Sequence, residues 1–240
     1  MRNSTALTLL LLFLFSCSPY QTNEDAFKYE NYFKLVKKSD YSEVQKHLEN
    51  GTDTELRDYA GECAIHWAAI NDDLQMIQLL KSFGADINSW NAYGETALLL
   101  LIKFHGTIDT IKYIIENGSD INHQDNNGYS ALHYATFPGD MEKVSLLISK
   151  GAYVNAADKH GNTPLHYAAK SGRGLKIIKL LLGNGADKNL PGEWYETPLR
   201  MAKIVDDIES IEYLESIGAR DSGMVPIPVH KIISRIIIMN

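Results

Sequence analysis

The chain has 240 residues, 45% of them apolar and 22% charged, which is the balance of a packed globular protein and excludes wholesale disorder. Its 23 Lys and Arg against 30 Asp and Glu give a formal charge of −7, without the cationic footprint that a phosphate backbone requires, so nucleic acid is excluded as the main partner. Two cysteines are too few for a disulfide framework or for a zinc site of four thiolates.

Residues 1–16 read as an export signal: Arg2 precedes an apolar run from Ala6 to Phe15, broken only by Thr8. The run is about half the roughly 20 residues that a membrane-spanning helix needs. Leu14-Phe15-Ser16-Cys17 resembles a bacterial lipobox, with Phe15 where a small residue is usual. That resemblance implies cleavage before Cys17 and a diacylglyceryl group on its sulfur, and several acyl chains would anchor the protein stably. The alternative is an ordinary cleaved signal with an incidental cysteine. Ser18 is not the aspartate associated with inner-membrane retention, which favours the outer membrane. Residues 17–25 are short and polar and read as a tether. With Cys17 acylated, Cys63 is the one thiol left and no intramolecular disulfide can form.

Residues 26–50 supply a helix pair, Phe27 to Lys37 and Ser42 to Leu48, expected to form an N-terminal cap. From 51 to 218 the chain repeats. Glycines at 51, 84, 118, 151, 185 and 218 are separated by 33, 34, 33, 34 and 33 residues. Cys63-Ala-Ile-His-Trp-Ala, Thr96-Ala-Leu-Leu-Leu-Leu, Ser130-Ala-Leu-His-Tyr-Ala, Thr163-Pro-Leu-His-Tyr-Ala and Thr197-Pro-Leu-Arg-Met-Ala recur in phase with them. Thr163 and Thr197 can cap a helix start, with Pro164 and Pro198 at the first helical position, where a missing N–H costs nothing. The recurring glycines sit where a second helix must stop in a left-handed residue. Seven residues before each stands Val44, Ile77, Ile111, Val144, Ile178 or Ile211; four before the later ones stands Leu80, Ile114, Leu147, Leu181 or Leu214. That spacing puts both columns on one helical face, which a lone unit cannot bury, so neighbours must stack.

The period and the Thr-Pro-Leu-His-x-Ala pattern resemble the ankyrin repeat. The resemblance covers about residues 51–218, in five signature-bearing units, and implies an all-α solenoid of stacked helix-turn-helix units with β-hairpin fingers. The extra residue of the 34-residue periods falls between the helices, around Phe104 to Asp109 and Ser171 to Leu175, where the turns should bulge. In the last unit Tyr195 replaces the hairpin glycine, Gly192 the aspartate and Arg200 the histidine, so its finger is expected to be reshaped. Residues 219–240, with Pro226, Pro228 and an isoleucine-rich end, read as a C-terminal cap; a peripheral membrane contact is the alternative.

No catalytic, cofactor or metal site is expected. His66, His133 and His166 recur once per unit, too far apart for one metal, and the resemblance implies that they tie helix start to hairpin. Cys63 replaces a capping threonine and has no second ligand pair. His47, His105, His123, His160 and His230 are expected at the surface. The paired acids Asp72-Asp73 and Asp206-Asp207 precede second helices, where negative charge suits the helix dipole. Residues Trp67, Tyr134, Tyr167 and Met201 are expected to face the core.

The resemblance implies partner binding through finger tips and the adjacent first-helix ends. Candidate residues are Tyr59, Tyr93, Tyr129, His160, Trp194 and Tyr195 at the tips, with Ile70, Phe104 and Phe137 on the helices; aromatic side chains are enriched in interface hot spots. Trp90 and Ile204 belong to the same wider set. The expectation is a monomeric, non-catalytic protein-binding scaffold or regulator, lipid-anchored in a bacterial envelope and facing the periplasm or cell surface. A dedicated inhibitor that occludes a toxin or enzyme, such as an immunity protein, is the alternative.

Overall fold

The computed structural model describes residues 23–172 and 174–222, with side chains from Tyr29 onward. The expected signal, Cys17, most of the tether and the tail from 223 lie outside the described residues. Twelve α-helices and one short 3-10 turn succeed one another, with no strand among the described residues. No described helix is long and apolar enough to cross a membrane.

Two compact units divide between Asp86 and Ile87. The first contains α1 (Asn23–Lys37), α2 (Tyr41–Glu49), α3 (Ala64–Ile70) and α4 (Leu74–Ser82). In it α1 packs on α3 and α2 on α4, so the pair without the repeat signature stacks on the first pair that has it. Helix α1 begins at Asn23, inside the stretch expected to be tether. The second unit contains α5 (Ala97–Lys103), α6 (Ile108–Glu116), α7 (Ala131–Thr136), α8 (Met141–Ser149), α9 (Pro164–Lys170), α10 (Leu175–Gly183), α11 (Pro198–Ile204) and α12 (Ile208–Ser216). Its first helices pack in the order α5, α7, α9, α11, and its second helices α8, α10, α12 line up behind them.

The apolar columns form the core. Val44, Ile77, Ile111, Val144 and Ile178 are fully buried, as are Leu80, Ile114, Leu147, Leu181 and Leu214. Ile211, in the last described helix, is half-buried. All six period-setting glycines are left-handed, with φ between 72° and 95°. First helices also end in a left-handed residue: Ser39, Asp72, His105, Gly139, Gly172 and Asp206. The acid pairs therefore divide their labour. Asp73 and Asp207 are N-caps that accept from the amides of Met76 and Ser210, while Asp72 and Asp206 turn the chain just before them.

Four residues, 104–107 and 171–174, join the helices of the 34-residue periods where three, 71–73, suffice between α3 and α4; α7, one residue shorter than its counterparts, is also followed by four, 137–140, so the join length does not by itself mark the longer periods. Gly174 is required in the 171–174 join, since a Cβ would lie 2.0 Å from the Ala168 carbonyl oxygen.

Candidate functional site

Each finger is a four-residue reversal closed by two backbone bonds. Asp58 N–H donates to Glu62 O and Gly61 N–H to Asp58 O, both at 2.9 Å, and the same pair recurs at 91–95, 125–129, 158–162 and 192–196. The hairpins are narrow: single bridges, Trp90 to Thr96 and Gln124 to Ser130, stand where strands could have formed. The leading side chain locks the turn. Asp125 Oδ1 accepts from the amides of Asn127 and Tyr129 at 2.8 and 2.9 Å, and Asp158 Oδ1 from those of His160 and Asn162. Asn91 does the same through its amide oxygen.

The second carboxylate oxygen of these aspartates corrects one expectation. Asp58 Oδ2 accepts from Trp67 Nε1 at 2.9 Å; Asp125 Oδ2 and Asp158 Oδ2 accept from Tyr134 and Tyr167 Oη at 2.6 Å. Trp67, Tyr134 and Tyr167 are therefore half-buried struts between helix and finger rather than core residues, because a polar tip needs a partner that the core lacks. Burial, followed by the bond to the aspartate, holds both phenols above their ordinary range. Met201, which has no such tip, is buried as expected.

The histidines tie helix starts to fingers. His133 Nδ1 meets the Ser130 amide at 3.1 Å and its hydroxyl at 2.8 Å, and Nε2 reaches Asn162 O of the next finger at 3.1 Å. His166 repeats this with Thr163 and Glu196 O. With Nδ1 accepting, Nε2 carries the proton and the ring is neutral; burial lowers the pKa of both. Of the histidines expected at the surface, His105 and His160 are exposed, whereas His47 and His123 are half-buried, His123 against the Gly94 carbonyl. Position 230 lies outside the described residues. Among the described residues no group of three His, Cys, Asp or Glu could hold a metal ion.

In the first unit Tyr59 stands 94% exposed at its finger tip and Ile70 is half-buried. In the second, Tyr93, Phe104, Phe137, His160 and Tyr195 are exposed. Tyr129 is not a free tip: its ring packs 5.5 to 5.9 Å from Tyr134, Tyr167 and His133, and its hydroxyl lies 3.1 Å from that of Tyr167, whose own proton is committed to Asp158. Phe137 extends that cluster, 6.3 Å from Tyr167, and Lys103 Nζ lies 5.7 Å from the Tyr134 ring. Trp90 stacks on His123. Trp194 is half-buried and, with Tyr195, takes a left-handed φ of about 60° in the 3-10 turn Glu193–Tyr195, so the fifth finger is reshaped at its tip while its closing bonds survive.

Finger-to-finger contact loosens toward that end. A Cβ on Gly94 would meet Asn126 at 2.6 Å and one on Gly128 the Lys159 amide at 2.8 Å, but one on Gly161 only the Pro191 carbonyl at 3.5 Å. Two clefts of about 300 Å³ flank the fifth finger. The strut bonds and the cleft are not legible in the sequence; the coincidence of Gly192 with Met201 in one unit is the signal that could have found the cleft.

The family model for ankyrin repeats (three copies) matches residues 33–125 and 99–192. The putative ankyrin repeat protein L92 of Acanthamoeba polyphaga mimivirus is 43% identical over 51 residues, 21% of this chain and 12% of that protein. The B-cell lymphoma 3 protein homolog of Mus musculus is 32% identical over 177 residues, 73% of this chain and 32% of its own length. The palmitoyltransferase akr1 of Neurospora crassa is 29% identical over 85 residues, 35% of this chain but 12% of the enzyme. The chain thus spans no more than about a third of these relatives. Its helix pairs, fingers and repeat period agree with the family match, and the chain belongs to the ankyrin-repeat family.

Proposed function

We propose that this chain is a non-catalytic protein-binding module, exported by residues 1–16 and held in a bacterial envelope by a lipid on Cys17, where it acts as a scaffold or regulator. The observation that carries the binding reading is the aromatic edge of the second unit. Tyr93, Phe104, Phe137 and Tyr195 are 66%, 50%, 56% and 56% exposed. Large apolar side chains in water along finger tips and helix ends suit a partner that covers them. The Tyr129–Tyr134–Tyr167 cluster stiffens the surface behind them, so binding loses little to ordering the scaffold. Export and anchoring rest on the amino-terminal sequence alone.

A photo-cross-linking residue at position 93 tests the binding reading in cells. Capture of a partner that disappears when Phe104 and Phe137 are both changed to Ala, with circular dichroism unchanged, is the expected result. Capture that survives both changes, or no capture in any cell fraction, overturns it. Cys17→Ser should move the protein from the membrane to the soluble fraction; retention in the membrane would dispose of the lipid anchor.

A further inference from the structure

The fifth repeat departs from its neighbours at two linked positions. In the third and fourth repeats the strut runs from Tyr134 to Asp125 and from Tyr167 to Asp158. In the fifth, Gly192 stands at the aspartate position and Met201 at the tyrosine position, so neither end of the strut exists. A side chain at 192 would displace the Asn162 amide: a Cβ there would lie 2.3 Å from Asn162 Oδ1, which accepts from the Glu193 amide at 3.3 Å. The space left is a cleft of about 310 Å³, with Tyr167, Trp194, Met201 and Ile204 on its apolar side and Lys170, Glu193 and Glu196 among its polar lining. Trp194 is held there with φ 62°, an unusual conformation for a bulky residue and of the kind that concentrates at binding sites.

The charges around this cleft are incomplete. Lys103 and Lys170 end the first helices of the second and fourth repeats at the same register. Lys103 Nζ pairs with Glu95 Oε1 at 2.6 Å. In the fourth repeat the position of Glu95 is taken by Asn162, and no described carboxylate pairs with Lys170. Lys159, on the neighbouring finger tip, likewise has no ion pair among the described residues, and Glu193 lies instead 3.4 Å from His160 Nδ1. Glu196 lines the cleft without pairing with either lysine.

We propose that this cleft receives an internal segment of a partner protein: an aromatic or large aliphatic side chain enters over Met201 and Ile204, and an adjacent side-chain carboxylate pairs with Lys170 as Glu95 pairs with Lys103. The inference deepens the protein-binding reading and rests on it. The cleft's apolar side chains and its Lys170 would fix depth and orientation of such a segment, with Glu193 and Glu196 in the same lining turning its carboxylate toward the lysine.

The test titrates blocked peptides, acetylated and amidated, into the ¹⁵N-labelled full chain in detergent micelles. The probes are Gly-Glu-Phe-Glu-Gly, Gly-Glu-Ala-Glu-Gly and Gly-Lys-Phe-Lys-Gly, and the readout is the Trp194 indole resonance, assigned with Trp194→Phe. The expected result is a saturable shift with the first peptide and at least tenfold weaker responses to the other two. Lys170→Glu should reverse the preference between the Glu-flanked and Lys-flanked peptides, a gain that a misfolded variant cannot show. No saturable shift up to about 5 mM, equal responses to all three peptides, or an unreversed preference overturns the inference. Position 93 lies in the second repeat, outside the cleft. Capture there with an unresponsive cleft overturns this inference alone, whereas failed capture overturns the reading beneath it.

Discussion

At Cys63 one atom changes a helix start. Ser130 Oγ and Thr163 Oγ1 lie 2.8 and 2.9 Å from Nδ1 of the histidine in their own repeat, so hydroxyl and amide both meet the imidazole. Cys63 keeps the amide contact to His66 Nδ1 at 2.9 Å, but its sulfur lies 3.6 Å from the Glu55 carbonyl oxygen. Burial pushes the thiol up to about 12, so it stays protonated at neutral pH and is a poor nucleophile. Cys63→Thr is expected to restore the hydroxyl contact seen in the third and fourth repeats and to stabilise the protein by about 0.5–1.5 kcal/mol. A higher denaturant midpoint at unchanged slope is the measurement. A lower midpoint would mean that the packing of the sulfur outweighs the hydroxyl contact to the imidazole.

Helices and fingers are joined by neutral imidazoles, and this makes the joint sensitive to acid. Burial holds His133 and His166 below their ordinary 6.5, so the unfolded chain binds more protons than the folded one once pH falls under that value. Their contribution is therefore complete above about pH 6.5 and is lost as pH drops toward the folded pKa values. The urea midpoint should be flat from about pH 8 to 7 and fall between about pH 6.5 and 5.5, before most carboxylates titrate. A midpoint that holds steady through the lower window would show that these rings accept a second proton without cost. Most of this joint is legible in the sequence, because the histidine recurs at one register and glycine and threonine positions fix where helices stop and start. The strut aromatics are not. A tyrosine after the signature histidine looks apolar in a periodic pattern, and only the finger's fold brings the Asp125 carboxylate to its hydroxyl. Tyr129 reads as a tip for the same reason: one position says nothing about a ring from the neighbouring repeat, such as Tyr167, that packs against it. The departures at Gly192 and Tyr195 are visible in the sequence, but the cleft they open depends on Asn162 in the preceding finger.

At the scale of the second unit, stability passes from repeat to repeat through one residue type. Asn88 donates to Gly118 O at 3.0 Å and accepts from the Asp120 amide at 2.8 Å. Asn122 joins Gly151 O and the Tyr153 amide in the same way, and Asn155 joins Gly185 O and the Asp187 amide. Asn189, in the last turn, accepts from the Arg220 amide, while the neighbouring Lys188 ammonium donates to Ile217 O. In a repeat stack, stability is a sum of unit terms and nearest-neighbour terms, so a stitch lost in the middle uncouples what lies on either side. Asn122→Ala removes two such bonds and should cost about 1–3 kcal/mol. It should also flatten the denaturant transition, since the second repeat can then open apart from the third. Asn189→Ala removes the side-chain acceptor at the last stitch, with no further signature-bearing unit beyond, and should lower the midpoint less while keeping the slope. Equal losses with unchanged slopes in both variants would mean that burial of the isoleucine and leucine columns, not the asparagine ladder, makes the unit cooperative.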